Sequence, residues 1–519
     1  MKNKTILIGL DGATWNNLGK WKDKLPYFKK LLARGVYTSL LSTIPCMTCP
    51  AVPSLCTGKN PGKTGVFGFK RADGSLFTYD KLRDEAFWDV LGENDYSSLV
   101  VNLRMAFPPR IKKGVMASAT MGGSTKKCNY VYPAKYKGLF RKLHGNGYDD
   151  FVDNLKKLPK TKENFALDTR EKYNIFLNAY KKTSPDFAFF WDGNTDYVQH
   201  FQWHNQKEIF NYYKRLDLVI FKDLLERAKK TNIMIVSDHG FEASAKYAFY
   251  INSWLEKKKY LYFKESKFQR NTRNLRDYMY YRIGWIVKNI LPIKYFNFVF
   301  RLFKKMQAKG SAQKSVKGLY LENPRTNLNI IDKKKSVAYF DQSWGIRIIK
   351  ENARDYGKLK HKLKKELSGL AGFNGKPIFK EVHKKEEVYK GQFLKYLPDI
   401  VFLTEQGYEV RNGTPKKIIK RTKDKRTTTG GHSNARKAIF IALGPDIKKT
   451  GKLSKPVQIY DIAPTIIHMY DSPVPKDIDG KVLKPIFNPR SVLAQRKLKY
   501  SDSGGEKQKM RSIIDDIKI

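Results

Sequence analysis

Five short apolar runs, each ending abruptly in a polar turn, constrain this chain more than any other feature. They are "TILIGLDG", "SSLVVNL", "DFAFFWDG", "NIMIVSDHG" and "KAIFIALG". Continuous apolar runs of this length read as strands buried on both faces, the pattern of a parallel sheet. Helical stretches separate them, at 168–182 and 205–230 among others. "PYFKKLLARGVYTSLLS" adds a helix closed by Gly35 and then a further strand. Strands alternating with helices predict an α/β fold, a mainly parallel central sheet sandwiched by helices. In such sheets functional groups gather beyond the carboxyl ends of the strands.

The length, 519 residues, allows one large α/β core with insertions or two to three subdomains. We read 1–265 and 331–490 as one discontinuous catalytic core. Residues 266–330 are aromatic and basic at roughly helical spacing, broken by Pro292, and read as an inserted cap or lid. Residues 491–519 form a polar tail, in which 504–517 has the pattern of a terminal helix. No internal repeat is visible.

Charge is the unusual compositional feature. One hundred Lys and Arg against 49 Asp and Glu give a net charge of +51. Such a surface attracts polyanions: a phosphorylated substrate, anionic lipid or, without sequence specificity, nucleic acid. The plainer alternative is lysine that only solvates the surface, since the basic residues are spread along the chain. The apolar run at the N-terminus, Ile6 to Leu10, is too short for a signal peptide or a bilayer span. The expectation is a cytoplasmic protein, with peripheral membrane contact as the variant. Oligomeric state is not readable.

The candidate chemistry lies after the strands. Asp11 follows "ILIGL", Asp196 and His200 lie in "WDGNTDYVQHFQWH", Asp238 and His239 end "IMIVSDHG", and His432 stands in the Gly-rich "TTTGGHSNARKAIFIALG". Asp196 and His200 are four apart and share one face of a helical turn. Mixed imidazole and carboxylate donors suit zinc, less often manganese or iron. Two neighbouring cations need about six or seven such donors. The six residues supply most of these, and a Thr48 oxygen would be the seventh. Taken singly, each has a structural reading: a strand-end Asp as a helix cap, a helical His as a packing group. Asn102 and Arg104, in "VVNLRMAFPP", follow a strand and are weaker candidates for contact with a substrate phosphate.

"TIPCMTCPAVPSLCTGKNPGKTGVFGF", residues 43–69, poses a choice of nucleophile. Cys46-Met-Thr-Cys49 has the spacing of half a zinc knuckle, but no second Cys-x-x-Cys completes it. Four cysteines are too few for a secreted disulfide scaffold. The cysteines read as small buried thiols.

These stretches occur in the order of a known family. The chain resembles the type I phosphodiesterase/nucleotide pyrophosphatase family of the alkaline phosphatase superfamily from residue 4 to about 260 and from about 335 to 490. The resemblance rests on "ILIGLDGATW", the 43–69 stretch, "DYVQHFQWH", "VSDHGF", "GGHSNARKAIFIALGPDI" and "QIYDIAPTIIHMYDSPVPKDIDGKVL". It implies an alkaline phosphatase-like fold and Thr48 as a nucleophile that also touches a metal. It implies two divalent ions, zinc with manganese as the alternative. Asp11, Thr48, Asp238 and His239 would hold one; Asp196, His200 and His432 would hold the other. The expected reaction is hydrolysis of a phosphodiester or pyrophosphate through a phosphothreonine. The substrate would be a small phosphoester or a headgroup. Alternatives are a phosphotransferase of the same superfamily and a basic protein that only binds anionic surfaces. Two departures argue against a strict nucleotide pyrophosphatase. Thr64 stands where many members carry His, and Ala51 stands where the nucleotide-specific branch places a phosphate-contacting Asn.

Overall fold

A computed structural model describes residues 3–69, 77–82, 84–119, 129–143, 164–264, 330–341, 345–373, 375–422 and 428–502. The aromatic, basic stretch read as a cap lies outside the described residues save for residue 330, and so does the terminal helix read at 504–517.

The chain first builds most of a central sheet. Its strands are β1 (Thr5–Leu10), β2 (Gly35–Leu41), β3 (Ser98–Leu103), β4 (Gly114–Ser118), β5 (Val131–Tyr132), β6 (Phe187–Asp192) and β7 (Asn232–Val236). It then leaves the sheet through β8 (Glu242–Ala243) and β9 (Tyr247–Tyr250). A second region follows: β10 (Ala338–Asp341), β11 (Gly345–Ile348), β12 (Phe379–Lys384), β13 (Ile400–Thr404), β14 (Tyr408–Arg411) and β15 (Ile419–Arg421). Through β16 (Gly430–Gly431) it returns to β17 (Lys437–Leu443), β18 (Gly451–Lys452) and β19 (Val457–Gln458) in the central sheet.

The central order is β18-β2-β17-β7-β1-β6-β3-β4-β5, with β19 also on β2. The middle, β7-β1-β6-β3-β4, is parallel, and β17 runs antiparallel to β7 and β2. Each of the five apolar runs is a strand of this sheet, and the fold is the expected mixed α/β layering. Alternate residues serve opposite layers. Leu7, Phe187, Phe189 and Trp191 face the layer that contains the helix Thr48–Thr57, while Ile6, Ile8, Leu10, Ala188 and Phe190 face the other. A slip of one residue in β1 would exchange the two sets, so the register is tightly specified.

Two details differ from the sequence reading. Helix α1 spans Trp15–Trp21, and α2 spans Pro26–Ala33; α2 is closed by Arg34, not by Gly35. Gly35 opens β2, where a Cβ would come 2.1 Å from the Ala442 carbonyl oxygen, so close strand pairing explains that glycine. The helical stretch 205–230 is Gln206–Leu216 and Lys222–Arg227 joined by a π-turn at Asp217–Phe221.

The second region has its own core. Strands β10-β11-β13-β12 form an antiparallel sheet, covered by the helix Tyr356–Ser368. Trp254, Phe340, Ile346, Leu363, Phe379 and Phe402 pack within it.

Candidate active site

Three adjacent parallel strands end side by side and deliver the acids. Leu10 pairs with Asp192 and Gly9 with Val236, so the residues after β1, β6 and β7 emerge at one edge. Asp11 and Asp238 follow β1 and β7 directly or by two residues, and both are fully buried. Gly12 adopts φ 69°, a left-handed turn that costs glycine little, and its amide donates to Asp238 Oδ1 at 3.3 Å. After β6 the helix Asn194–Gln202 carries Asp196 and His200 one turn apart. Below it, Asp192 accepts from the Tyr212 hydroxyl at 2.6 Å and the Thr169 hydroxyl at 3.0 Å, anchoring the start of that helix in the core. His432 arrives from the far side, just after β16, which pairs with β8. Thr48 is the first residue of helix α3 (Thr48–Thr57).

All seven residues meet. His239 Nε2 lies 3.2 Å from Thr48 Oγ1, 3.3 Å from Asp238 Oδ2 and 3.6 Å from Asp11 Oδ1. Asp196 Oδ1 lies 3.4 Å from His200 Nε2 and 3.9 Å from His432 Nε2. The His239 and His432 rings stack at 3.9 Å, which joins the two groups. Two triads, Asp11-Asp238-His239 and Asp196-His239-His432, each have their donor atoms within 4.8 Å of one another. His239 belongs to both, whereas the sequence assigned it to one.

The donor chemistry fits divalent cations. Each histidine has its Nδ1 against a backbone carbonyl: His200 on Gly430 at 3.0 Å, His432 on Cys46 at 2.8 Å, His239 on Gly240 at 3.1 Å. A carbonyl only accepts, so Nδ1 carries the proton and the Nε2 lone pair points inward. Facing those lone pairs, Asp11 Oδ1, Asp196 Oδ1 and Asp238 Oδ2 are buried without a hydrogen-bond partner among the described residues. Buried oxygens and nitrogens that all offer lone pairs to one space repel each other unless cations lie between them.

Burial, reinforced by the neighbouring Asp238 and Asp196, pushes Asp11 well above the usual carboxylate range, against the pull of Arg104. Burial also pushes Asp196 up, but positive charge on His200 and His432, when those rings are protonated, and on Arg104 outweighs it and holds that carboxyl at about 2. Burial, then positive charge on His239 when that ring is protonated, brings His432 well below the usual imidazole range, which favours the neutral ring a metal needs.

The match to known proteins follows this geometry. Residues 5–433 match the family described as type I phosphodiesterase / nucleotide pyrophosphatase. The chain belongs to that family. It is therefore an enzyme of the phosphoric ester hydrolase class, and the family's use of divalent metals agrees with the two triads. A search of curated proteins finds no match. Among solved structures the fold is similar to murine ectonucleotide pyrophosphatase/phosphodiesterase 5, in an inactive threonine-to-alanine form in complex with AMP. That alignment covers 94% of this chain and 100% of that one, with a TM-score of 0.50 at 12% identity. For the human protein of the same name the figures are 93%, 100%, 0.49 and 12%.

The two weaker candidates of this phosphodiesterase-family chain are engaged by the protein. The Asn102 amide donates to the Trp191 carbonyl at 2.9 Å, and its backbone is left-handed at φ 60°. Arg104 Nη1 lies 2.8 Å from Asp11 Oδ2 and 3.5 Å from Asp196 Oδ2. Sequence reasoning missed three supports of the acids. Trp191 Nε1 donates to Asp11 Oδ2 at 3.2 Å, the Thr195 hydroxyl donates to the Asp11 carbonyl at 2.6 Å, and Gln199 Nε2 donates to the Gly12 carbonyl at 2.8 Å. Thr195 and Gln199 lie one and three residues from Asp196 in "NTDYVQH"; that proximity was the available signal. Trp191, at the end of an apolar run, reads as core. Of the histidines outside the motifs, His468 Nε2 faces the Leu493 carbonyl at 2.9 Å and His204 Nδ1 faces Thr429 Oγ1 at 3.1 Å, both away from the triads.

Proposed function

We propose that this chain hydrolyses phosphoesters through Thr48, with two divalent cations, zinc or alternatively manganese, held by Asp11, Thr48, Asp238 and His239 and by Asp196, His200 and His432. The observation that carries this reading is the set of three partnerless buried carboxylate oxygens facing inward Nε2 lone pairs around one threonine hydroxyl. Cations bound there would polarise the phosphoryl oxygens and lower the pKa of the Thr48 hydroxyl.

Thr48 begins a ten-residue helix, so the positive end of the helix dipole favours negative charge on its Oγ and on an incoming phosphoryl group. Its side chain is almost wholly buried, and it approaches the His239 ring edge to 3.2 Å, which restricts its rotamers. The Thr48 hydroxyl proton passes through solvent to the departing oxygen, Oγ bonds to phosphorus, and the bond to the leaving-group oxygen breaks, releasing the alcohol or phosphate and leaving a phosphothreonine. Water then cleaves the Oγ–phosphorus bond and restores the hydroxyl. The substrate is a small phosphoester or headgroup phosphate. The murine relative was captured with AMP, yet Ala51 gives this chain no amide at the position used by the nucleotide-specific branch.

A metal-supplemented screen of bis-p-nitrophenyl phosphate, p-nitrophenyl phosphate, nucleotide sugars and phospholipid headgroups tests the reading. At least one substrate should turn over. Thr48→Ala should lower that turnover by on the order of 10^3-fold or more, the scale of losing a nucleophile. Undiminished turnover in the variant would rule out Thr48.

A further inference from the structure

Arg104 stands between the two triads and touches one acid of each. The chain turns left-handed at both Asn102 and Met105, each at φ 60°, and the arginine between them points into the site with its side chain 16% exposed. Nη1 reaches Asp11 Oδ2 and Asp196 Oδ2, Nη2 donates to the Gly193 carbonyl at 3.3 Å, and the guanidinium lies over the Tyr197 ring at 4.8 Å.

The division of oxygens is what matters. Arg104 takes the outer oxygen of each carboxylate. The other oxygens, Asp11 Oδ1 and Asp196 Oδ1, are the partnerless ones that face the histidines. The guanidinium therefore leaves the inward oxygens to the cations. Its charge favours the rotation of both carboxylates about their Cβ–Cγ bonds that turns Oδ2 toward Nη1. Space is kept for it: a Cβ at Gly193 would come 2.8 Å from Nη2 and 3.0 Å from Nε. A planar fork held at both terminal nitrogens is a stiff link, which a lysine would not be. Outer partners of this kind orient metal-binding groups and tune affinity.

We propose that Arg104 is a positioning residue that couples the two cation sites, so that filling one orients the acid of the other. This rests on the proposal above that the seven residues hold two cations. The sign of the effect separates it from simple charge. A guanidinium beside cations repels them, so on charge alone its removal would tighten binding. As a positioning group, its removal weakens binding.

The test is a calorimetric titration of the metal-free full-length protein with Zn2+, with near-UV circular dichroism as the check on folding. Wild type should take up two ions as a coupled pair. Arg104→Met should bind them roughly 10- to 100-fold more weakly and independently of each other. Arg104→Lys should fall between the two. Gly193→Ala keeps the arginine but crowds it, at a backbone φ of −85° that alanine accepts, and should shift affinity in the same direction by less. If Arg104→Met does not fold, Arg104→Lys and Gly193→Ala carry the test. Affinity equal to or above wild type in the folded variants, or coupling undiminished in them, overturns the proposal. Wild-type uptake of fewer than two ions would instead defeat the two-cation reading, and this inference with it.

Discussion

The two halves of the site are built to different standards of rigidity. Asp11, Asp238 and His239 come from the ends of neighbouring parallel strands, and their side chains are wholly buried. Asp196, His200 and His432 come from one helix and one returning loop. The His200 and His432 side chains are 25% and 17% exposed. The first half is fixed by the sheet that makes the fold. The second is closed by a clasp of two residue pairs, Gly430 with Ala243 and Gly431 with Glu242, after the chain has passed through the region of the second sheet. The buried half thus holds Thr48 in one place, while the open half is the side through which solvent reaches the site. His239 ties them together by facing Asp11 and Asp238 with its edge and His432 with its ring.

The largest effect should come from cutting that tie. His239→Ala removes a donor of the buried cation and the ring on which His432 stacks, so it should empty the buried site and weaken the open one. His200→Ala should empty only the open one. Metal content of the purified, dialysed variants by plasma mass spectrometry checks this. Losses of affinity should exceed the roughly 10- to 100-fold typical of removing an outer hydrogen-bond partner. Equal losses from both substitutions would break the distinction between the halves.

A smaller effect sharpens the idea that the open half hangs on its clasp. Glu242, in β8, is pushed by burial from the ordinary 4.5 to about 7, against the charge of Lys380 and a hydrogen bond from Asn434. Between those values the folded protein holds a proton that the unfolded chain has released. Stability from this group is therefore complete below about pH 4.5 and is lost as pH rises through about 7. Glu242→Gln should abolish that decline and gain on the order of 2 kcal/mol at pH 8. Urea unfolding at pH 4.5, 6 and 8 measures it. Parallel pH trends in wild type and variant would show that Glu242 does not load the clasp.

The halves also differ in how far the sequence reveals them. Asp11 and Asp238 are legible because a strand buried on both faces is an unbroken apolar run, and its abrupt end marks the edge where the triads gather. Asp196 and His200 are legible because a spacing of four places them on one helical face. Arg104 is not legible in the same way. Its partners lie 93 positions before it and 92 after it, and only the three-dimensional approach of β1, β3 and the helix after β6 pairs them. The role of His239 in both triads is likewise a matter of ring stacking, not of spacing. The second sheet is obscure for another reason. Strands such as "FKEVHK" are antiparallel and half exposed, so their apolar content is too low to stand out from the surrounding lysines.

The smallest predicted effect concerns the cysteines beside Thr48. Cys46 is fully buried in a small apolar cluster with Ile44, Tyr389, Leu397, Val401 and Leu403, and burial pushes its thiol far above the range in which a thiolate forms. Cys49 is buried next to Thr48, and its thiol is raised in the same way. What Cys46 supplies to the site is its backbone carbonyl, which accepts the Nδ1 proton of His432 at 2.8 Å, and any residue has that carbonyl. Cys46→Ala should therefore retain both cations and full turnover while losing about 1 kcal/mol of unfolding free energy, the cost of one small vacated volume in a packed cluster. Thr48→Ala should do the reverse, keeping stability and losing turnover. A Cys46→Ala variant as inactive as Thr48→Ala would move the chemistry from the oxygen to the sulfur, because removing that side chain takes nothing else from the site except its packing.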